Sequence, residues 1–232
     1  MRRSRINLAL LAGTLLAASP APAQPGDGAT ELEEALGRPR RMPVIPPELR
    51  ASVREVTRDR IVVRGTRGDV AIDISDFEPE DFRQFAGGRF FGFAFLGYEY
   101  YGFLLVDRAM TGDEAVIATG EPPVFSPDGR YFAAVQFSGA GWGNLEALGL
   151  WEVTPEGSRQ RLFNRALPAG EDWRVDNWPR DDCVSLSAAP FGPTGSSDPA
   201  AERIRISVET GERIAMQADS SPPCGAVDAT RP

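Results

Sequence analysis

The stretch Phe125–Val153, FSPDGRYFAAVQFSGAGWGNLEALGLWEV, is where the architecture of this chain is most legible. Pro127-Asp128-Gly129 is a tight-turn sequence: proline presets φ, aspartate bonds nearby backbone, and glycine tolerates positive φ. The residues around it, Phe125 on one side and Tyr131-Phe132 with Ala133-Ala134-Val135 on the other, are aromatic, small and β-branched, as strands require. A glycine-rich loop, Gly139–Glu146, leads to a third apolar run that ends at Leu150-Trp151-Glu152-Val153. The pattern is strand, turn, strand, loop, strand.

The same pattern recurs on both sides. Gly88-Arg89-Phe90-Phe91 returns as Gly129-Arg130-Tyr131-Phe132, and Gly102-Phe103-Leu104-Leu105-Val106 returns as Gly149-Leu150-Trp151-Glu152-Val153. The second copy is the longer, and its extra residues fall around Gly139–Glu146. A weaker third copy follows, with Asn177–Asp182 at the turn and strands over Cys183–Ala188, Ile204–Val208 and Arg213–Gln217. Repeats of this size with about four strands each predict an all-β chain, a small or incomplete β-propeller of about three to four four-stranded units. A β-sandwich-like stack of the same sheets is the alternative. The units run over Phe85–Thr119, Glu121–Arg165 and Gly170–Gln217. Arg60–Arg64 and Val70–Ile74 flank the turn Gly65–Asp69 as a hairpin, the remnant of a fourth unit. Between them, Pro79 and the spacing of Phe82 and Phe85 predict a short helix over Phe77–Phe85.

Phe125-Ser126-Pro127-Asp128-Gly129-Arg130, Ala133-Ala134-Val135 and Leu150-Trp151-Glu152-Val153 together resemble the WD40-like propeller repeat of the periplasmic Tol-system translocation proteins. The neighbouring units depart from it, with Gly87-Gly88 and Asp181-Asp182 in place of Asp-Gly. The resemblance implies a propeller, and it implies the scaffold role that most of that family plays.

Residues 1–23 have the form of a secretory signal peptide. Arg2, Arg3 and Arg5 precede the apolar run Ile6–Ala18, and Ala21-Pro22-Ala23 is a small-residue cleavage site that would leave Gln24 as the first mature residue. The expected organisation continues with a flexible Pro-rich arm over 24–52, a propeller-like β domain over 53–224 and a C-terminal tail over 225–232. An exported, periplasmic or extracellular product without membrane insertion is the expectation, because no later run is apolar enough to span a bilayer.

Charge and composition narrow the function. The chain carries 33 Asp+Glu against 25 Lys+Arg, a formal net charge of −8, and its longest basic run after the leader is Arg40-Arg41. That balance lacks the electrostatic footprint of a nucleic-acid binder. There is no histidine and no lysine. Ser-His-Asp and Cys-His catalysis, His-ligated zinc and lysine Schiff bases are therefore all excluded. No cofactor is expected. The two cysteines, Cys183 and Cys224, are an even pair in an exported chain and predict a disulfide.

Candidate site residues follow from position. Phe91, Phe93 and Phe95 share one face of a strand and read as core. Tyr98 and Tyr100 flank Glu99 just after Gly97, at a turn where tyrosines suit a contact surface. Trp142, between Gly141 and Gly143, has no strand-pattern reason to be apolar and is the leading binding candidate, with Asn144 beside it. The acidic group Glu171, Asp172, Asp176, Asp181 and Asp182 is interleaved with Arg174 and Arg180, and matches no EF-hand spacing. Neither glycine-rich stretch has the Lys-Ser/Thr of a phosphate loop. The expected function is an exported, non-catalytic binding or scaffold protein that presents a loop face to a protein or envelope component. The alternative is a carboxylate-dependent hydrolase of an envelope glycan or peptide, working near Asp172–Asp182.

Overall fold

The computed structural model describes residues 41–138, 141–191, 202–210, 215–218 and 224. Every sheet is antiparallel, and each is a simple meander in chain order. Sheet 1 comprises β1 (Val53–Val56), β2 (Arg60–Val63) and β3 (Val70–Asp73). Sheet 2 comprises β4 (Phe77–Phe85), β5 (Phe90–Gly97), β6 (Tyr100–Asp107) and β7 (Val116–Ala118). Sheet 3 comprises β8 (Val124–Phe125), β9 (Tyr131–Gln136), β10 (Ala147–Thr154) and β11 (Gly157–Asn164). Sheet 4 comprises β12 (Glu171–Arg180), β13 (Cys183–Ala189), β14 (Ile204–Glu209) and β15 (Ala215–Ala218). Among the described residues, no sheet closes into a barrel. The protein is all-β and propeller-like, with three four-stranded sheets and one three-stranded sheet among the described residues.

One four-stranded sheet cannot bury both of its faces, so each unit needs neighbours. Three apolar clusters supply the contacts. The first joins sheets 1 and 2 through Ile61, Val63, Val70 and Ile72 against Phe91, Phe93 and Phe95. The second joins sheets 3 and 4 through Ala133, Leu148 and Leu150 against Val184, Leu186 and Ile206. The third joins sheets 2 and 3 through Phe90, Phe103 and Leu105 against Phe132, Ala134 and Trp151. Strict alternation along β5 sends Phe91, Phe93 and Phe95 to one neighbour and Phe90 to the other. None of these clusters joins sheet 4 back to sheet 1.

Glycine makes room where two aromatic side chains would otherwise collide with a strand. A Cβ on Gly92 would strike the Phe103 ring, and one on Gly149 would strike the Trp151 indole. Trp151 uses that space to stack on Phe132, with centroids 5.0 Å apart and planes 12° from parallel.

The segment Phe77–Phe85 is a strand rather than the predicted helix. Its register against β5 slips between Glu80 and Arg83, where Asp81 takes φ 49°. This bulge adds one residue and re-aims the side chains that follow. Phe82 therefore packs on Phe91 and Phe93, while Phe85 turns to the opposite face and meets Phe103 and Phe125. Pro79 is tolerated because β4 is an edge strand.

The last part of the Pro-rich arm is packed. Pro47–Ser52 forms a 3-10 turn, and Ile45 and Leu49 are buried in the first cluster. The Ser-Pro-Asp-Gly turn has the predicted geometry: the Ser126 hydroxyl donates to Asp128 at 2.8 Å, the Tyr131 N–H donates to Ser126 Oγ at 3.0 Å, and Gly129 has φ 70°. Cys183 and Cys224 are disulfide-bonded, with Cα atoms 5.9 Å apart. Among the described residues, no helix is long and apolar enough to cross a membrane.

Candidate functional site

The extra residues of the third unit are stitched to the second. The Tyr101 N–H donates to the Trp142 carbonyl at 2.9 Å, and the Asn144 N–H donates to the Tyr101 carbonyl at 3.0 Å. Tyr101 and Gly143 thereby form a parallel bridge between β6 and the loop ahead of β10. The Asn144 side chain adds a third tie, its Nδ2 donating to the Phe103 carbonyl at 3.1 Å.

A second set of bonds shapes the loop from within. The Glu146 carboxylate accepts the Ser138 hydroxyl at 2.6 Å and the Gly143 N–H at 2.8 Å. Ser138 Oγ in turn accepts the Trp142 N–H at 2.6 Å. The loop stem is thus held by charge-assisted bonds, which are stronger than neutral ones.

This framework sorts the predicted site residues into two groups. Tyr98 and Trp142 are exposed, at 71% and 47%. Tyr100 points inward, its ring 5.3 Å from Phe95 and 6.1 Å from Phe77. Asn144 is a brace between units, and its buried Oδ1 has no hydrogen-bond partner. Two residues outside the predicted set complete the surface. Leu96 is 61% exposed and Tyr101 36% exposed, and they are directly opposed across β5 and β6. Leu96, Tyr98, Tyr101 and Trp142 therefore give this rim of sheets 2 and 3 an apolar and aromatic character. The signal for Leu96 and Tyr101 was available in the strand alternation, which places them off the Phe91-Phe93-Phe95 face.

Beside this rim lies a cavity of about 350 Å³ between β4 and the crossing into sheet 3. Its apolar wall includes Phe95, Leu96, Tyr101 and Phe103, and its polar wall Glu80, Asp81, Arg83 and Glu121. A second cavity, of about 400 Å³ between sheets 3 and 4, shares Glu121 and Pro122 with the first. Glu121 is solvent-exposed, yet the concavity desolvates it enough to push its carboxyl above the ordinary glutamate range.

Glu121 belongs to a repeat visible only once the register is known. Arg83 pairs with Gly92 and Val124 with Ala133, each partner the third residue of its strand, while Arg174 pairs with Ser187, two residues further along β13. Three residues upstream of each stands a glutamate: Glu80, Glu121 and Glu171. Two of the copies are nearly identical in sequence, Glu80-Asp81-Phe82-Arg83 and Glu171-Asp172-Trp173-Arg174. Both carry the bulge, with Asp81 at φ 49° and Asp172 at φ 51°, and both turn their aromatic residue into an apolar cluster.

The acidic group of sheet 4 is dispersed along β12 and the turn after it. Asp176 pairs with Arg174 at 3.1 Å and accepts the Ser187 hydroxyl at 2.8 Å. Asp182 pairs with Arg180 at 2.9 Å, and the Asp172 carbonyl accepts from Arg203 at 2.8 Å. Among the described residues, no three carboxylate or cysteine side chains come together as metal ligands. The connection between β13 and β14, which corresponds to the one between β5 and β6, lies mostly outside the described residues.

Fold and rim together define a propeller-like protein with a preformed aromatic loop surface beside an acidic cleft. No family profile and no curated protein sequence matches the chain.

Proposed function

We propose that this protein is an exported, non-catalytic binding or scaffold module that presents its loop face to a protein or envelope partner. The observation that carries the reading is Trp142. It is a large aromatic side chain left half in solvent by a loop whose backbone is fixed at Ser138, Gly143 and Glu146. Fixing the backbone that carries such a side chain before binding removes part of the ordering cost of association. Aromatic anchors of this kind dominate binding energy at protein interfaces. The neighbouring Leu96, Tyr98 and Tyr101 supply the surrounding contact area. The scaffold role of the WD40-like propellers agrees with this use of the rim.

The test is crosslinking in intact cells with a photoreactive residue at Tyr98, followed by identification of what is captured. Trp142→Ala is expected to abolish that capture while leaving the thermal transition unchanged, because the indole is not part of an apolar cluster. Capture that persists in the variant overturns the reading.

A further inference from the structure

The cavity beside the rim has a chemistry of its own. Its walls carry three carboxylates, Glu80, Asp81 and Glu121, against one guanidinium, Arg83. That guanidinium is already committed: Arg83 Nε and Nη2 donate to the two Asp81 oxygens at 3.0 and 2.6 Å. Glu80 and Glu121 are therefore left facing the cavity with no cation of the cavity wall to neutralise them. The opposite wall is apolar and continues outward into exposed Leu96 and Tyr101. The bulge at Asp81 produces this division. It turns Phe82 toward sheet 1, so Glu80 and Arg83 are both left on the face toward sheet 3.

The neighbouring cavity behaves differently. There Glu121 and Asp172 share the wall with two arginines, Arg174, which pairs with Asp176, and Arg203, which donates to the Asp172 and Ser187 carbonyls. Glu121 borders both cavities, whereas Glu80 lines only the one that touches the aromatic rim and has no arginine beside it there other than the paired Arg83.

We propose that this cleft is the specificity pocket of the loop face, taking a short segment of a protein partner in which an arginine or lysine stands beside a large apolar residue. The cation lies between Glu80 and Glu121, and the apolar side chain rests on Leu96 and Tyr101. A guanidinium suits the polar wall because it can donate to two carboxylates at once. The acidity of the whole chain speeds the encounter with such a segment. This inference rests on the loop-face reading and names the partner chemistry for it.

The test uses the purified protein and three fluorescently labelled probes, read by anisotropy at low and physiological salt. The probes are Gly-Leu-Arg-Val-Arg-Gly, its counterpart with both arginines replaced by glutamate, and arginine amide alone. The basic peptide is expected to bind saturably, at least tenfold tighter than either of the others, and more weakly as salt rises. Glu80→Gln and Glu121→Gln should each weaken it at least tenfold, with Leu96→Ser also weakening it. Glu114→Gln, ahead of β7 and outside the cavity wall, should leave it unchanged. Equal binding of the acidic peptide, equal binding of arginine amide, or affinity unmoved in the two glutamine variants overturns the proposal. So does the absence of saturable binding. If Trp142→Ala abolishes cellular capture while Glu80→Gln and Glu121→Gln do not, the loop face stands and the cleft proposal falls.

Discussion

The Glu146 carboxylate and the Ser138 hydroxyl meet at 2.6 Å across the base of the third-unit loop, and this contact sets where Trp142 stands. Ser138 accepts the Trp142 N–H and Glu146 accepts the Gly143 N–H, so one carboxylate organises the loop from both sides. Glu146 also holds φ 45°, a conformation kept only where the surroundings enforce it. Glu146→Ala should cost about 1.5–3 kcal/mol, the range for hydrogen bonds to a charged group. The more specific readout is hydrogen exchange. The amides of Trp142 and Gly143 should exchange much faster in the variant, while those of β9 and β10 stay protected. Unchanged exchange at those two amides would show that the clamp is not what orders the loop.

Asp107 ties sheet 2 to sheet 3. It is fully buried, bonded by Arg89 at 3.1 and 2.9 Å, by the Ser158 hydroxyl at 2.7 Å and by the Ala109 N–H at 3.0 Å. Burial alone would raise its pKa. The bonds from Arg89, Ser158 and Ala109, with the Arg89 charge, outweigh that and hold the carboxyl below the ordinary aspartate range. Because the folded value is depressed, its stabilisation is fully present above the unfolded value of about 3.9. It is lost as pH falls from there through the folded value. Asp107→Asn should cost about 3 kcal/mol, the low end for breaking a buried pair, since Arg89 keeps some solvent contact. Stability followed by urea melts should also fall less steeply in the variant than in the wild type as pH drops below about 4. Parallel pH profiles would remove Asp107 from the account of acid stability.

Much of the fold was legible in the sequence because its punctuation repeats. Gly88-Arg89 and Gly129-Arg130 both lead into second strands, and the boundaries of sheets 3 and 4 lie close to the units drawn from those repeats, while sheet 2 begins a whole strand earlier, at Phe77 rather than Phe85. The inward phenylalanines of β5 follow directly from alternation. The misreading of Phe77–Phe85 as a helix has a physical cause. Phe82 and Phe85 are three residues apart, which is one helical face but two opposite strand faces, and the bulge at Asp81 decides which neighbouring sheet each of them meets. Tyr100 could not be placed from its turn-like neighbours, since its inward direction depends on Phe77 and Phe95. The cleft was hidden for a different reason. Glu80 and Glu121 become equivalent only through the pairing of Arg83 with Gly92 and of Val124 with Ala133, and Pro122-Pro123 replaces the Asp-aromatic pair that would have revealed the repeat.

The bulge gives a prediction that separates conformation from contact. Asp81 at φ 49° is in the left-handed region, which glycine enters without penalty and β-branched residues resist. Asp81→Val should destabilise by about 1–3 kcal/mol, whereas Asp81→Gly should cost less, despite losing the same pair with Arg83. Equal melting temperatures for the two variants would show that strain at this position is not decisive. Deleting Asp81 altogether should be the most damaging change, because it drives Phe82 away from Phe91 and Phe93.

The disulfide yields the last prediction. Cys183 opens β13, which is buried along its whole length, and Cys224 lies 41 residues later. A guanidinium nitrogen of Arg180 also donates to the Cys224 carbonyl, so covalent and polar ties converge at one point on sheet 4. Closing a loop of this size restricts the unfolded chain, worth about 4 kcal/mol in the chain-entropy treatment before any strain is deducted. Mass spectrometry of the non-reduced protein should find a peptide linking the two cysteines. The Cys183→Ala/Cys224→Ala variant should lose about 2–4 kcal/mol, and adding dithiothreitol should lower the wild-type transition toward that of the variant while leaving the variant itself unmoved. The loss should appear first in sheet 4, as faster exchange of β13 and β14 amides, with β5 and β6 following only at global unfolding. A variant that melts with the wild type, or a loss of protection that begins in sheet 2, would mean that the bridge does not anchor the last sheet.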